Sequence, residues 1–124
     1  VNDIQQAAQS LVGKVDAFYE PTDNIIASAM PTLLSVTNSA KKPVICGESN
    51  MVKAGGLATY GVDYYQLGKQ AGMMAADILE GKAKPADMPI QFAANLKAVV
   101  NKANAAELGI ALPAEIVNDA EVIE

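Results

Sequence analysis

In the first dozen positions, apolar side chains fall at Ile4, Ala7, Ala8, Leu11 and Val12, with glutamines between them. That spacing puts them on one side of a helix and predicts one over Asn2 to Val12, with Gly13 as its stop. Val15 to Tyr19 is apolar and aromatic, broken only by Asp16, and predicts a strand. The polar turn Glu20 to Asn24 follows, and Asp23 or Asn24 is placed to cap a helix over Ile25 to Ala40. Pro31 lies inside that helix and should bend or restart it. Pro43 to Cys46 is a compact apolar run ended by Gly47, the pattern of a parallel strand buried on both faces.

Ser49 to Lys53 predicts a single helical turn stopped by Gly55 and Gly56, and Leu57 to Val62 a third strand. Asp63 then caps a long amphipathic helix, Tyr64 to Glu80, and forms with Gln66 the pattern of a capping box. The apolar face of this helix is Leu67, Ala71, Met74, Ala75, Ile78 and Leu79. Gly81 and Pro85 end it, and residues 82–89 resemble a linker. Ile90 to Ala93 and Leu96 to Val100 are further strand candidates. Lys102 to Leu108 is a short helix closed by Gly109, and Pro113 opens a last helical segment running to acidic residues at Glu121 and Glu124. Strand and helix alternate from residue 15 to 80. The expected fold is therefore α/β, a Rossmann-like layered and mostly parallel sheet with right-handed crossovers.

Composition narrows the chemistry. At 124 residues and 51% hydrophobic, the chain can bury one core, built from aliphatic residues and Met because Trp is absent and aromatics are 5%. There is no His, and all nine basic residues are Lys. Imidazole acid–base chemistry, His metal ligation and the bidentate Arg clamp are all excluded. A net charge of −5 with scattered lysines argues against nucleic acid as a partner. A lone Cys46 forms no intrachain disulfide, and no apolar run approaches the roughly 20 residues of a membrane-spanning helix. The first residue is Val and no signal-peptide pattern follows it, which suggests a fragment or a processed chain.

In open α/β sheets, ligands bind beyond the carboxyl ends of the strands. Thr22, Asp23 and Asn24 follow the first strand, Glu48, Ser49 and Asn50 the second, and Asp63, Tyr64 and Tyr65 the third. Each strand thus delivers an acid and a neutral hydrogen-bonding group to one rim. Helix capping explains each acid singly; convergence of the three rims points to a ligand. Glu48 and Asp63 are also the pair that acid–base catalysis or a hard metal ion would use, but their spacing matches no metal motif. Cys46 in its apolar strand reads as a buried, inert thiol.

The segments Tyr19-Glu20-Pro21-Thr22-Asp23-Asn24, Gly47-Glu48-Ser49 and Thr59 through Gly68, with the tail Leu108-Gly109-Ile110-Ala111-Leu112-Pro113, resemble the tryptophan/tyrosine-type ABC transporter substrate-binding proteins. The resemblance runs in order along the whole chain. It implies the C-terminal portion of a type I periplasmic-binding-protein fold, two α/β lobes joined by hinge strands. Residues 1–62 and 96–124 would then be second-lobe elements. Helix 64–80 would pack on a first lobe outside this chain, with 61–64 and 88–95 as hinges. The implied ligand contacts are Thr22, Asp23, Asn24, Glu48, Ser49, Asp63 and Tyr64. Glu48 or Asp63 would hold an ammonium group, and Tyr60 or Tyr64 would stack on an aromatic side chain.

The implied function is solute binding for an ABC importer by hinge closure, with an aromatic amino acid as the candidate ligand and the transporter's membrane subunits as partners. The location would be extracytoplasmic, and no catalytic residue, cofactor or metal is implied. The alternative is the ligand-sensing core of a regulator with the same fold. Phe18, Glu20 and Cys46 depart from the family pattern, which has aliphatic or smaller residues there. Helix 64–80, without its usual partner, is expected to fold back on its own sheet or to pair with a second copy by swapping or dimerisation.

Overall fold

A computed structural model describes residues 2–124. The chain divides into two compact units, one spanning Val1–Gly61 with Lys97–Glu124, the other Val62–Leu96.

The first unit is a sheet with helices. Its strands are β1 (Phe18–Glu20), β2 (Val44–Cys46), β3 (Ala58–Val62), β4 (Leu96–Asn101) and β5 (Glu121–Ile123), lying side by side in chain order. β1 pairs with β2, β2 with β3, and β4 with β5, all in parallel. Between β3 and β4, the Asn101 N–H donates to Leu57 O at 2.8 Å. The end of one strand thus meets the start of the other, as in antiparallel neighbours. The sheet is mixed and mostly parallel, as expected.

Registered partners share a face. Phe18 sits opposite Val44 and Glu20 opposite Cys46. Phe18, Val44 and Cys46 are buried with Ala8 of α1 (Asn2–Leu11), Met30, Leu33 and Leu34 of α3 (Met30–Ser39), Met51 and Val52 of α4 (Ser49–Lys53), and Val99 of β4. This is the aliphatic and methionine core that the composition required. The opposite face carries Tyr19, paired with Ile45, and Tyr60, two residues beyond Ala58. Both tyrosines are exposed, at 68% and 72%.

The restart expected at Pro31 is realised, and two other expectations fail for local reasons. The helix expected over Ile25 to Ala40 is two helices, α2 (Asn24–Ser28) and α3, broken at Ala29. Pro31 lacks an N–H and is accommodated only in a first turn, so the second helix starts around it. Ile90 to Ala93 is not a strand. The acidic tail is not helical to its end: after α6 (Lys102–Leu108) and the short α7 (Ala114–Val117), residues Glu121–Ile123 form β5 against β4. There Lys97 forms an ion pair with Glu121 at 2.5 Å, and Lys53 adds a second at 3.7 Å. These contacts neutralise the acidic charge of the edge strand. The αL conformation of Gly109, φ 74°, closes α6 as expected.

The second unit is α5 (Tyr64–Leu79), a single 3-10 turn (Pro85–Asp87) and an irregular return segment. Gln70 on α5 donates to Gln91 Oε1 at 2.8 Å and to Phe92 O at 3.1 Å, tying the return to the helix. No residue from 62 to 96 is buried. The amphipathic face of α5 buries none of its side chains.

Candidate functional site

The rim of the first unit is built from the residues that follow β1 and β2. Gly47 N–H donates to Glu20 O at 2.8 Å, holding the two strand ends together. A Cβ on Gly47 would lie 2.6 Å from the Thr22 backbone nitrogen and 2.8 Å from its Oγ1. One on Gly61 would lie 2.7 Å from Gly47 O and 2.8 Å from Thr59 Oγ1. Two glycines thus let the ends of β1, β2 and β3 close up, and only glycine fits at either place. The sequence reading missed this role. Glycine after an apolar run was legible as a strand end, but the close approach comes from neighbouring strands.

The structure brings Thr22 against Gly47, next to Glu48, and leaves Thr22, Asp23 and Asn24 exposed. Asp23 caps α2: its Oδ1 accepts from Ile25 N at 2.7 Å and Ile26 N at 3.0 Å. Glu48 caps α4 with both oxygens, Oε2 accepting from Asn50 N at 2.8 Å and Oε1 from Met51 N at 2.9 Å. It is only 5% exposed. Ser49 opens α4 and is half-buried. In the second unit, Asp63 caps α5 through Oδ1, accepting from Tyr65 N at 3.0 Å and Gln66 N at 3.1 Å. Tyr64 is half-exposed beside it.

All three acids are therefore helix caps. The consequence differs among them. Asp23 and Asp63 engage one oxygen each, leaving Oδ2 without a hydrogen bond among the described residues. Glu48 is buried with both oxygens committed, so its clearest work is to hold the first turn of α4 in place. A cap and a ligand contact are compatible on one carboxylate, because each oxygen has its own lone pairs. Tyr60 projects from the sheet face opposite buried Thr59 and Gly61.

Below the rim, Cys46 is buried, and a Cβ on Gly56 would collide with its Sγ. Burial pushes its thiol up to about 12, with the Glu20 and Glu48 carboxylates adding to the effect. A thiol so held is neutral and unreactive near pH 7. Thr59 Oγ1 is buried without a hydrogen-bond partner among the described residues. No group of three His, Cys, Asp or Glu residues suited to a metal ion occurs among them.

The profile of a family described as ABC transporter substrate binding protein matches residues 1–123. A tyrosine-binding protein of Clostridioides difficile (strain R20291) is 42% identical over 101 residues, which is 82% of this chain and 29% of that protein. A solved structure of an ABC domain in complex with L-Trp from Streptococcus pneumonia is 40% identical, with a TM-score of 0.87, covering 99% of this chain and 41% of that one. A conserved domain protein from Vibrio cholerae is 36% identical, with a TM-score of 0.86 and the same coverage. The chain thus spans well under half the length of these relatives. With a profile match along nearly the whole sequence and the mixed α/β sheet that the solved relatives share, the chain belongs to the ABC transporter substrate-binding protein family.

Proposed function

We propose that this chain is part of the solute-binding component of an ABC importer and that its ligand is an aromatic amino acid. The observation that carries this reading is the L-Trp complex, 40% identical over 99% of the chain. The tyrosine-binding relative points to the same ligand class. The rim supports it chemically. A free Oδ2 on Asp23 or Asp63 is an acceptor for the ligand's ammonium group. Thr22, Asn24 and Ser49 offer neutral hydrogen-bonding groups, and Tyr64 an aromatic surface. Glu48 contributes by fixing the turn that presents Ser49.

In this reading the remaining length of the protein forms a second lobe. Residues 61–64 and 88–95 are the hinges, and closure about the ligand is the signal read by the membrane subunits. The apolar face of α5 docks on that lobe or, in this chain by itself, on a second copy. The protein works outside the cytoplasm, binds and releases its ligand unchanged, and uses no cofactor.

A thermal-shift screen tests the reading on the longest natural polypeptide that carries this sequence. L-Trp or L-Tyr at a hundredfold its dissociation constant adds about 2.7 kcal/mol, seen as a higher melting temperature. Asp23→Asn and Asp63→Asn should weaken the shift. No shift with any amino acid overturns the ligand class, and a shift with a different solute reassigns it.

A further inference from the structure

A half-open apolar pocket lies in the first unit, on the helix side of β1. It has a volume of about 140 Å³ and is walled by Ile4, Ala8 and Leu11 of α1, Phe18 of β1, Ile26 of α2 and Leu33 of α3. Its single charged wall is Glu20. The backbone carbonyl of Glu20 belongs to the rim, where it accepts from Gly47. Strand alternation turns its side chain the other way, to the face shared with buried Phe18 and Cys46. There the carboxyl has no hydrogen bond or ion pair among the described residues. Burial raises its pKa above the ordinary value of 4.5.

A charged group against apolar walls is costly unless a counter-charge meets it. Water entering from the open side can solvate the carboxylate but leaves the hydrocarbon walls wet. An apolar side chain would fill the volume and leave the carboxylate unpaired. A hydrocarbon body carrying a primary ammonium group satisfies both features. A dry cavity of about 150 Å³ accepts a benzene ring, which sets the size of that body at about six carbons. We propose that this cavity is a binding site for small organic ammonium ions, with Glu20 as the counter-ion and the α1, α2 and α3 side chains holding the hydrocarbon part. This assignment is independent of the rim and of the ligand proposed for it.

The test is a methyl-NMR titration of the 124-residue chain with benzylamine, protonated at neutral pH, and with benzyl alcohol as its uncharged counterpart. For so small a ligand the expected dissociation constant is about millimolar. Benzylammonium should shift the methyl signals of Ile4, Ile26 and Leu33 and bind about tenfold more tightly than the alcohol. The isosteric Glu20→Gln chain should keep its other methyl signals in place and bind the two compounds alike. Equal binding of both compounds by the unaltered chain overturns the proposal. So does the absence of any shift at these methyls at concentrations up to about 10 mM, or a preference for benzylammonium that survives in Glu20→Gln.

Discussion

The two units carry similar kinds of side chain and treat them differently. In the first, Met30, Val44, Val52 and Val99 are at most 1% exposed, enclosed between sheet and helices. In the second, Met73 is 58% exposed, Leu79 88%, Ile90 87% and Phe92 84%. A sheet face and a helix stripe bury each other; one helix and an irregular return do not make two layers between them. An amphipathic sequence therefore announces that a face needs a cover, and only a second layer supplies one. α5 forms because its cap and helical propensity are local, while its apolar stripe waits for a partner.

The sharpest test of this contrast is truncation. Met30→Ala should destabilise the chain by about 2–5 kcal/mol in urea unfolding, because it opens a cavity in a closed core. Leu79→Ala, on the apolar face of α5 and 88% exposed, should change stability by less than about 0.5 kcal/mol. Equal costs would mean that α5 has a packed partner in solution, and light scattering would then show whether it is a second copy.

Glycines should respond with opposite signs. Gly47→Ala forces a Cβ against the backbone of Thr22, and overpacking of that kind costs about 1–3 kcal/mol. Gly68 and Gly72 lie inside α5 with nothing within 4 Å of an added Cβ. Gly68→Ala should strengthen the helix by about 0.5–1 kcal/mol, read as slower amide exchange in α5. If ligand binding or docking of the whole protein were lost in that variant, the open space at Gly68 would be where a neighbouring backbone approaches.

The caps give a smaller difference. Glu48→Ala removes two hydrogen bonds from a buried turn and should lower global stability by about 1 kcal/mol. Asp63→Ala should speed amide exchange in the first turn of α5 and leave the urea midpoint nearly unchanged, since no buried contact depends on that turn.

The smallest effect belongs to the exposed edge at β5. Hydrogen bonding and charge from Lys97, with Lys53 adding, hold the Glu121 carboxyl below its ordinary 4.5. A lowered pKa means a contribution present above 4.5 and lost as pH falls through the folded value. Protection of the Val122 amide should fade in that acid range and weaken with added salt, with little change elsewhere.

Much of the fold was legible because its signals are local. Ser49–Lys53 and Lys102–Leu108 occur as helices where their sequence placed them, and α5 starts at Tyr64 behind its Asp63 cap. The break at Pro31 was expected, but Ala29 as the junction was not, since the position of a restart depends on what α2 packs against. β5 was illegible for a different reason. Glu121-Val122-Ile123 has little pattern of its own and becomes a strand through the edge of β4 and the lysines beside it. At the rim, the capping reading and the ligand reading predicted the same residue types. Sequence alone had no means to show that Glu48 would turn inward with both oxygens bonded while Asp23 kept one outward.

The sequence by itself determined what depends on neighbours along the chain: helix starts at acidic caps, stops at glycine, the strand and helix alternation, and the absence of imidazole and guanidinium chemistry. Tertiary structure alone decided what depends on neighbours across space. It set the approach of Gly47 and Gly61 to adjoining strands, the unpaired carboxyl of Glu20 in an apolar cavity, and which apolar faces are covered. Hydrogen-bond caps and backbone propensities act within a few residues, whereas burial and packing are properties of surfaces that meet only once the chain has folded.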